Sequence, residues 1–566
     1  MIDIVRRRVP DAARALTAAG LHPVLARVFA SRGVASAVDL PGDLKTLPSY
    51  TAMKGIDAAA ARLADAIAAR ERIVIVADYD ADGATACAVA VRGLAALGAN
   101  VGFLVPNRFE YGYGLTPEIV AEAARMSPRL LVTVDNGIAS HDGVAAAAAR
   151  GLDVLITDHH LPAATLPEPA IIVDPNQTGC AFPSKHLAGV GVMFYVLIAT
   201  RALLRTRGRF ASGAVPNLGV LLDLVALGTV ADVASLDRVN RTLVAHGLAR
   251  IRAGRAQPGL AALFTTAGRD PRRATCSDLG FVAGPRLNAA GRLSDMAIGI
   301  RCLLADSPDE ALALATELDR LNRERRDVEA KMHDDALAGI GARAAASAAD
   351  DRYTLCLYDA QWHPGVVGIV AGRLKDRFHR PVVVFARGAD GELKGSGRSI
   401  AGFHLRDALD LVAKRIPGAV AKFGGHAYAA GVTLAEAELA RFTEAFEAIA
   451  RERLSPSQLE RVLESDGPLA GGELSFELAA LLSGEVWGQG FPAPIFDDAF
   501  SVREQRIVGG AHSRLVLERG DERYDAILFR HADPLPPSIR AAYRPEVSEW
   551  NGLASLQLVV EHWQPG

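Results

Sequence analysis

Ile73-Val74-Ile75-Val76-Ala77-Asp78-Tyr79-Asp80-Ala81-Asp82-Gly83 is an aliphatic run that ends in alternating carboxylates. Two other runs end in the same way: residues 130–134 lead into Asp135, and residues 154–157 into Asp158-His159-His160. A strand buried on both faces of a parallel sheet reads as a continuous aliphatic run. In open α/β sheets the ligand sits beyond the carboxyl ends of the strands. The three acidic strand ends are therefore expected to converge on one crevice. Oxygen ligands with an imidazole suit hard divalent cations such as Mn²⁺ better than zinc, which prefers tetrahedral nitrogen and sulfur sites. A single Asp at a strand end can instead simply cap the following helix; several together, with paired histidines, favour the metal reading.

The surrounding pattern supports the strands. Helical stretches at 84–97, 116–124 and 140–149 alternate with apolar runs at 73–76, 101–105, 130–134, 154–157 and 170–173. That alternation predicts βαβ units and a parallel sheet with both faces covered. Residues before about 70 read as helical, an N-terminal cover. The apolar stretch 218–236 is too hydrophobic for a surface and should deliver Asp232 to the interior or the cleft. A charged helical pattern runs over 307–343, opening with Ser307-Pro308-Asp309-Glu310, a capping box with proline in the first turn. Beyond it a second α/β pattern begins at 353–358, 366–378 and 381–385, with glycine-rich segments at 394–399 and 423–426. From about residue 496 short alternating segments predict a small β-barrel.

At 566 residues the chain is too long for one hydrophobic core. Its five cysteines are scattered without a Cys-x-x-Cys pair, so neither a disulfide framework nor a zinc knuckle is indicated, and a reducing, cytoplasmic setting is expected. The N-terminus lacks the apolar stretch of a signal peptide. The longest apolar run, 187–200, falls short of the ~20 residues a membrane span needs and reads as a core helix. A net charge of −3 argues against coating nucleic acid by bulk positive charge. A polyanion would have to be gripped by arginine clusters such as Arg6-Arg7-Arg8, Arg272-Arg273 or Arg323/Arg325/Arg326, although a charge run is more often a solvated face.

Asp80 and Asp82 can face one or two cations from a single tight loop, with Gly83 letting the chain turn into the helix. Asp135, His159 and Asp232 could complete a pair of sites sharing a bridging carboxylate. Two cations about 4 Å apart would activate a water and steady charge on a phosphoryl oxygen, with no covalent nucleophile. Neighbouring side chains of an extended segment point opposite ways, so one of His159 and His160 should face the metals and the other the substrate or a supporting partner.

With these residues in view, the chain resembles the DHH phosphoesterase family, and within it the branch of bacterial single-strand-specific exonucleases. The motifs stand as Val76-Ala77-Asp78-Tyr79-Asp80-Ala81-Asp82-Gly83, Val134-Asp135-Asn136-Gly137, Asp158-His159-His160 and Gly228-Thr229-Val230-Ala231-Asp232. Relatives with small substrates often carry a His where Val76 stands. The resemblance implies two Mn²⁺ or Mg²⁺ ions held by Asp80, Asp82, Asp135, His159 and Asp232, with Asp78, Asp158 and His160 as supporting or substrate-facing catalytic groups.

It extends to Pro106-Asn107-Arg108-Phe109-Glu110-Tyr111-Gly112-Tyr113-Gly114 and Pro285-Arg286-Leu287-Asn288, making Arg108, Tyr113, Arg286 and Asn288 candidate nucleic-acid contacts. A guanidinium fork suits phosphate oxygens and an aromatic ring can stack on an unpaired base; an ion pair for Arg108 and core packing for Tyr113 are the plain alternatives. Trp362-His363-Pro364-Gly365, Gly395-Ser396-Gly397-Arg398-Ser399 and Gly424-Gly425-His426 resemble the DHH-associated domain. There a glycine-rich nest with Ser396, Arg398 and His426 would hold a 5′-phosphate. The segment from Trp487 resembles the family's oligonucleotide-binding (OB) fold, with Tyr524, Phe529 and Trp550 as stacking candidates.

The implied organisation is a helical cover (1–70), a DHH phosphoesterase domain (71–304), a connecting helix (305–349), a DHH-associated domain (350–453) and an OB-like domain (454–566). The implied activity is 5′-to-3′ degradation of single-stranded DNA to mononucleotides in recombination and repair. A channel between the two α/β lobes too narrow for duplex would account for the strand selectivity. The implied partners are a single strand with a 5′ end, single-strand-binding protein and a helicase, for a monomer with no membrane contact. Two rival expectations are a DHH phosphodiesterase acting on short oligonucleotides or cyclic dinucleotides, and an inactive DHH scaffold that only binds DNA or replication proteins.

Overall fold

The computed structural model describes residues 2–106, 114–211, 213–346, 351–388, 391–550 and 553–566, with side chains 342–346 and 550 left aside. It divides into two units: residues 6–320 with 464–566, and residues 1–5 with 321–463.

The aliphatic runs of the larger unit form five parallel strands in the order Asn100–Leu104, Arg72–Ala77, Leu130–Val134, Asp153–Thr157, Ile171–Val173. The first of these along the chain lies between the second and the third, so the strand order reverses between Arg72–Ala77 and Leu130–Val134. That reversal is the topological switch point at which open α/β sheets bind ligands. Both strands end there in acid, Asp78 and Asp135. One sheet face is covered by helices Pro117–Ala124 and His141–Ala148. Helix Ala81–Ala96 packs on the sheet and against helices Gly189–Thr206 and Leu222–Ala231. Leu222–Ala231 is buried almost all round, as its unbroken apolar sequence requires. Gly189–Thr206 is longer than the predicted core run and is apolar enough by composition to cross a membrane. Most of it is buried against its neighbours inside this unit.

The N-terminal stretch is mainly helical, with helices Ala12–Ala18, Pro23–Ala30 and Ile56–Ala68. Residues Asp3–Arg6 depart from the expectation and form a strand. Two buried carboxylates tie this stretch to the C-terminal region. Asp497 receives Arg6, Arg540 and Ser465, and Asp466 receives Arg32 at 2.7 Å and the Ile495 amide. Charges this buried are tolerated because each is paired and hydrogen-bonded.

The C-terminal strands close into a five-stranded barrel of Phe496–Val508, His512–Arg519, Glu522–Leu528, Leu553–Pro565 and Ser538–Trp550. Phe500, Leu515, Leu517, Ala526, Tyr543 and Leu558 are buried in it. Three of its strands run to 13 residues, longer than the predicted segments.

The smaller unit holds a five-stranded sheet in the order Lys422–Gly425, Ala429–Leu434, Leu393–Arg398, Val382–Arg387, Leu355–Tyr358. Only its last pair is parallel. The glycine-rich segments 394–399 and 423–426, expected to form a phosphate nest, lie mostly in antiparallel strands. Their glycines serve packing: a Cβ at Gly395 would stand 2.4 Å from the Phe385 ring, and one at Gly397 2.8 Å from Leu405. Helix Pro308–Ala346 continues from the larger unit into the smaller one, its start capped by Ser307 Oγ, which accepts from the Glu310 amide.

Candidate metal centre

Asp80 follows strand Arg72–Ala77 with extended backbone and is the N-cap of helix Ala81–Ala96. One of its carboxylate oxygens accepts from the Asp82 and Gly83 amides at 2.9 and 3.0 Å. Capping and ligation are compatible, because the carboxylate has a second oxygen. Asn288 Oδ1 accepts from the Ala81 amide at 2.8 Å and so holds the acidic loop. Gly83 is required by close approach: a Cβ there would lie 2.7 Å from the Asp78 carbonyl oxygen.

Asp82 is fully buried, and both of its oxygens are held by the N-terminus of helix Gly189–Thr206. Gly189 N donates at 2.6 Å and Val190 N at 3.0 Å. A helix N-terminus offers free amides and a positive dipole end, which suits a buried carboxylate. Two glycines make the approach possible. A Cβ at Gly189 would stand 2.7 Å from Asp135 Cβ, and one at Gly228 would stand 2.9 Å from Asp82 Oδ1.

Asp135 has a left-handed backbone, φ 63°, which is uncommon for a residue with a side chain. Its amide donates to Thr157 O at 3.0 Å, and Asn136 anchors the turn through its side-chain amide to Val134 O and Val76 O. The strained turn aims Asp135 inward. Asp232 arrives as the C-cap of Leu222–Ala231.

His159 Nε2 lies among three of these carboxylates, 3.0 Å from Asp135 Oδ1, 3.9 Å from Asp82 Oδ2 and 4.0 Å from Asp232 Oδ2. His160 does not point the opposite way. The two rings lie side by side with centroids 4.5 Å apart, because the strand ends at Thr157 and strict alternation ends with it. Asp158 is buried and organises both histidines. One oxygen accepts from the His159 and His160 amides and meets His160 Nδ1 at 2.7 Å, while the other accepts from the Ile138 amide. It therefore acts through its neighbours as a positioning residue. A fourth strand-end acid, Asp174, follows Ile171–Val173. It accepts from the Asn176 amide at 2.6 Å, and the Asn176 side chain donates to the His159 carbonyl at 2.6 Å. The rule that picked out Asp78, Asp135 and Asp158 applies equally to the run ending at Val173, and Asp174 was missed by not extending it.

Ligand-capable atoms of Asp82, His159 and Asp232 lie within 4.8 Å of one another, as do those of Asp78, Asp80 and Asp135, and those of Asp135, His159 and His160. The first two groups share no residue and so could hold two adjacent cations. Asp78, expected in a supporting role, stands inside the second. The electrostatics fit cations. Burial first and the Asp80 charge second push Asp82 up to about 7, against the pull of the two helix amides. Burial and neighbouring carboxylates also hold Asp135 and Asp232 well above the usual carboxylate range. Hydrogen bonds alone therefore do not sustain the cluster's full charge at neutral pH. An oxygen-rich set with one imidazole suits Mn²⁺ or Mg²⁺. For His160, burial favours the neutral ring, but the bond and charge of Asp158 outweigh it and carry the group up to about 9.

A pH dependence follows. Between the ordinary value of 3.8 and about 7, folded Asp82 keeps a proton that the unfolded chain has released. Stability of the cation-free protein therefore falls as pH rises through that window and levels off above it. Cations bind the deprotonated ligands. Thermal melts should show Mn²⁺ raising Tm more at pH 8 than at pH 6; an equal shift at both would contradict this electrostatic reading.

The remaining candidates are placed as follows. Arg286 is buried, its guanidinium on Asp319 at 2.7 Å and on the Val282 carbonyl, so it is presented in a fixed orientation. Arg108 and Tyr113 lie outside the described residues. In the smaller unit Arg398 Nη1 donates to Ser396 Oγ at 3.1 Å, and Gly368 at the start of helix Val367–Phe378 packs on both, where a Cβ would stand 2.9 Å from Ser396 Oγ. The His426 amide donates to Ala429 O. Tyr524 packs in the barrel against Phe500, and Phe529 is exposed beside His512. Four of the clustered arginines are engaged internally: Arg6 with Asp497, Arg7 with Glu464, Arg273 with Glu549 and Arg325 with Glu329.

Comparison with known proteins gives three domain matches: the DHH family N-terminal domain over residues 72–229, the DHHA1 domain over 351–452 and the RecJ OB domain over 465–562. The chain is 47% identical to the single-stranded-DNA-specific exonuclease RecJ of Salmonella typhimurium, over 99% of each chain. It is similar to the crystal structure of RecJ in complex with Mn²⁺ from Thermus thermophilus, with a TM-score of 0.84 at 32% identity, covering 100% of this chain and 80% of that one. The Mg²⁺ complex of the same protein gives a TM-score of 0.78 at 30% identity, covering 100% and 79%.

Proposed function

The chain belongs to the RecJ family of DHH-domain exonucleases, and on that premise we propose that it is a cation-dependent exodeoxyribonuclease that removes nucleotides from the 5′ end of single-stranded DNA. The observation that carries the reading is the pair of non-overlapping acidic groups at the sheet's switch point, joined by the 3.0 Å approach of His159 to Asp135. Divalent cations bound there supply Lewis acidity toward a phosphoryl oxygen and ease removal of a proton from the attacking water. The chain's own residues do the rest. Asp80, Asp82, Asp135, His159 and Asp232, with Asp78 beside them, would hold the cations. Asp158 fixes both histidines. His160, bound through Nδ1 to Asp158 and part-exposed, keeps a proton that it can give to a phosphoryl or leaving oxygen.

In the smaller unit, a part-buried guanidinium beside a hydroxyl at a helix start is a suitable anion site. Ser396 and Arg398, with His426 nearby in sequence, are therefore assigned the 5′-phosphate. Arg286, Asn288, Arg108 and Tyr113 are assigned the strand. The barrel grips single-stranded DNA, as OB folds do through charge and stacking. The setting is cytoplasmic, in recombination and repair, with single-strand-binding protein and a helicase as partners of a monomer. The domain boundaries anticipated from sequence are retained as part of this reading.

The RecJ OB domain match and the clustering of the carboxylates with His159 favour this over a small-substrate DHH enzyme or an inactive scaffold. Product analysis on long single strands labelled at the 5′ or the 3′ end, with Mn²⁺ and a duplex control, tests it. The 5′ label should appear at once as mononucleotide, the 3′ label should pass through shortened strands, and duplex should persist. Long strands left intact while di- and trinucleotides are cleared would transfer the chain to the small-substrate class.

A further inference from the structure

Phe281 is 75% exposed, yet its helical segment is otherwise built into the core, with Leu279, Ala283 and Leu287 fully buried. The segment Leu279–Ala283 is a π-helical turn leading into helix Gly284–Leu293. Such turns offset the side-chain register of a helix and occur frequently at functional sites. The same stretch packs on both halves of the metal centre. Gly280 faces Val230, and a Cβ at Gly284 would stand 3.0 Å from Ala231, the residue before Asp232. A Cβ at Gly291 would stand 1.9 Å from the Tyr79 carbonyl oxygen, and Asn288 holds the Ala81 amide. Arg286 donates to the carbonyl of Val282, next to Phe281. Two further exposed apolar side chains directly follow motif residues: Leu161 after His160 and Val233 after Asp232.

We propose that Phe281 is a stacking platform for a nucleobase of the single strand whose phosphodiester lies at the metal centre. This rests on the exonuclease reading above and adds to it the residue that positions the base. A lone exposed apolar residue needs no explanation. This ring is fixed to a rigid segment that also braces the acidic loop and the Asp232 helix end, so a substrate held at the cations passes beside it. A nucleobase is the occupant because every base has a π face, whereas the phosphates beside it are drawn to the cations.

The test measures KM and kcat with Mn²⁺ on a 5′-labelled dT 20-mer, and on the same strand carrying abasic sites near its 5′ end. Phe281→Ala should raise KM about 5- to 160-fold on the normal strand, the range for loss of one base–aromatic stack, with a smaller change in kcat. Phe281→Trp should retain KM near that of the native chain. On the abasic strand native and Phe281→Ala should converge. Because the ring is exposed, these variants should keep the native Tm. A second readout is direct: the added tryptophan fluorescence of Phe281→Trp, referenced to the native chain, should quench on adding the dT 20-mer with Ca²⁺ in place of Mn²⁺. Unchanged KM in Phe281→Ala with an active native enzyme, or equal losses on normal and abasic strands, would overturn the platform while leaving the exonuclease intact. A native chain inert on both strands would instead remove the exonuclease reading, and this inference with it.

Discussion

Asp82→Asn should abolish Mn²⁺-dependent degradation of single strands, lowering kcat/KM on the order of 10³-fold, while the protein stays folded. Asparagine has nearly the shape of aspartate, so its oxygen can still accept from Gly189 or Val190, the two amides that hold the native carboxylate. What it lacks is the charge and one acceptor, because its side-chain NH2 meets the other amide. Asp82 belongs to one of the two groups of ligand atoms, and it is fully buried, so water cannot stand in for its carboxylate. Removing a buried charge that the neighbouring carboxylates oppose should not destabilise the cation-free protein. The relief of charge repulsion offsets the lost acceptor, so its Tm in EDTA should stay near that of the native chain, while the Mn²⁺-induced rise in Tm should be lost. A loss of activity accompanied by unfolding would identify Asp82 as a structural residue instead.

Asp158→Ala should fail in a different way, through stability and positioning together. Its carboxylate accepts from the amides of Ile138, His159 and His160 and from the His160 ring. Deletion leaves several donors in a largely buried place without an acceptor, a loss of roughly 3–5 kcal/mol. The surviving folded enzyme should need more Mn²⁺ and turn over some 10- to 100-fold more slowly, the scale seen when a ligand's supporting contact is removed. Urea denaturation with and without Mn²⁺ and a Mn²⁺ titration of activity separate the two effects. Native stability with native Mn²⁺ dependence would show that the histidines are held by other contacts.

The parts legible in the sequence are those whose physics is local. Runs such as Ile73 to Ala77 announce buried parallel strands because both faces need aliphatic side chains. The acids ending them are found at the switch point because strand order puts Asp78 and Asp135 next to each other. Asp80 shows why a helix cap and a metal ligand need not be rival explanations, since one oxygen serves each.

Roles created by contacts between distant segments were not legible. Gly189 reads as an interruption in an apolar run, yet it lets a helix start 2.6 Å from an oxygen of Asp82, a residue far earlier in the chain. Gly395 and Gly397 look like a loop because glycine also breaks structure, and only the Phe385 and Leu405 side chains explain them in a strand. Arg6 and Arg7 look available to a polyanion until Asp497 and Glu464 are placed beside them. The paired histidines defeated the alternation rule because they lie one and two residues past Asp158, beyond the end of the strand.

The claim that everything else requires is that this acidic pocket holds the cations. Anomalous scattering at the manganese edge, from crystals of the native chain grown with Mn²⁺, tests it most directly. The expected result is one peak among Asp82, His159 and Asp232 and a second among Asp78, Asp80 and Asp135. Manganese bound only elsewhere on a chain that still degrades single strands would contradict it.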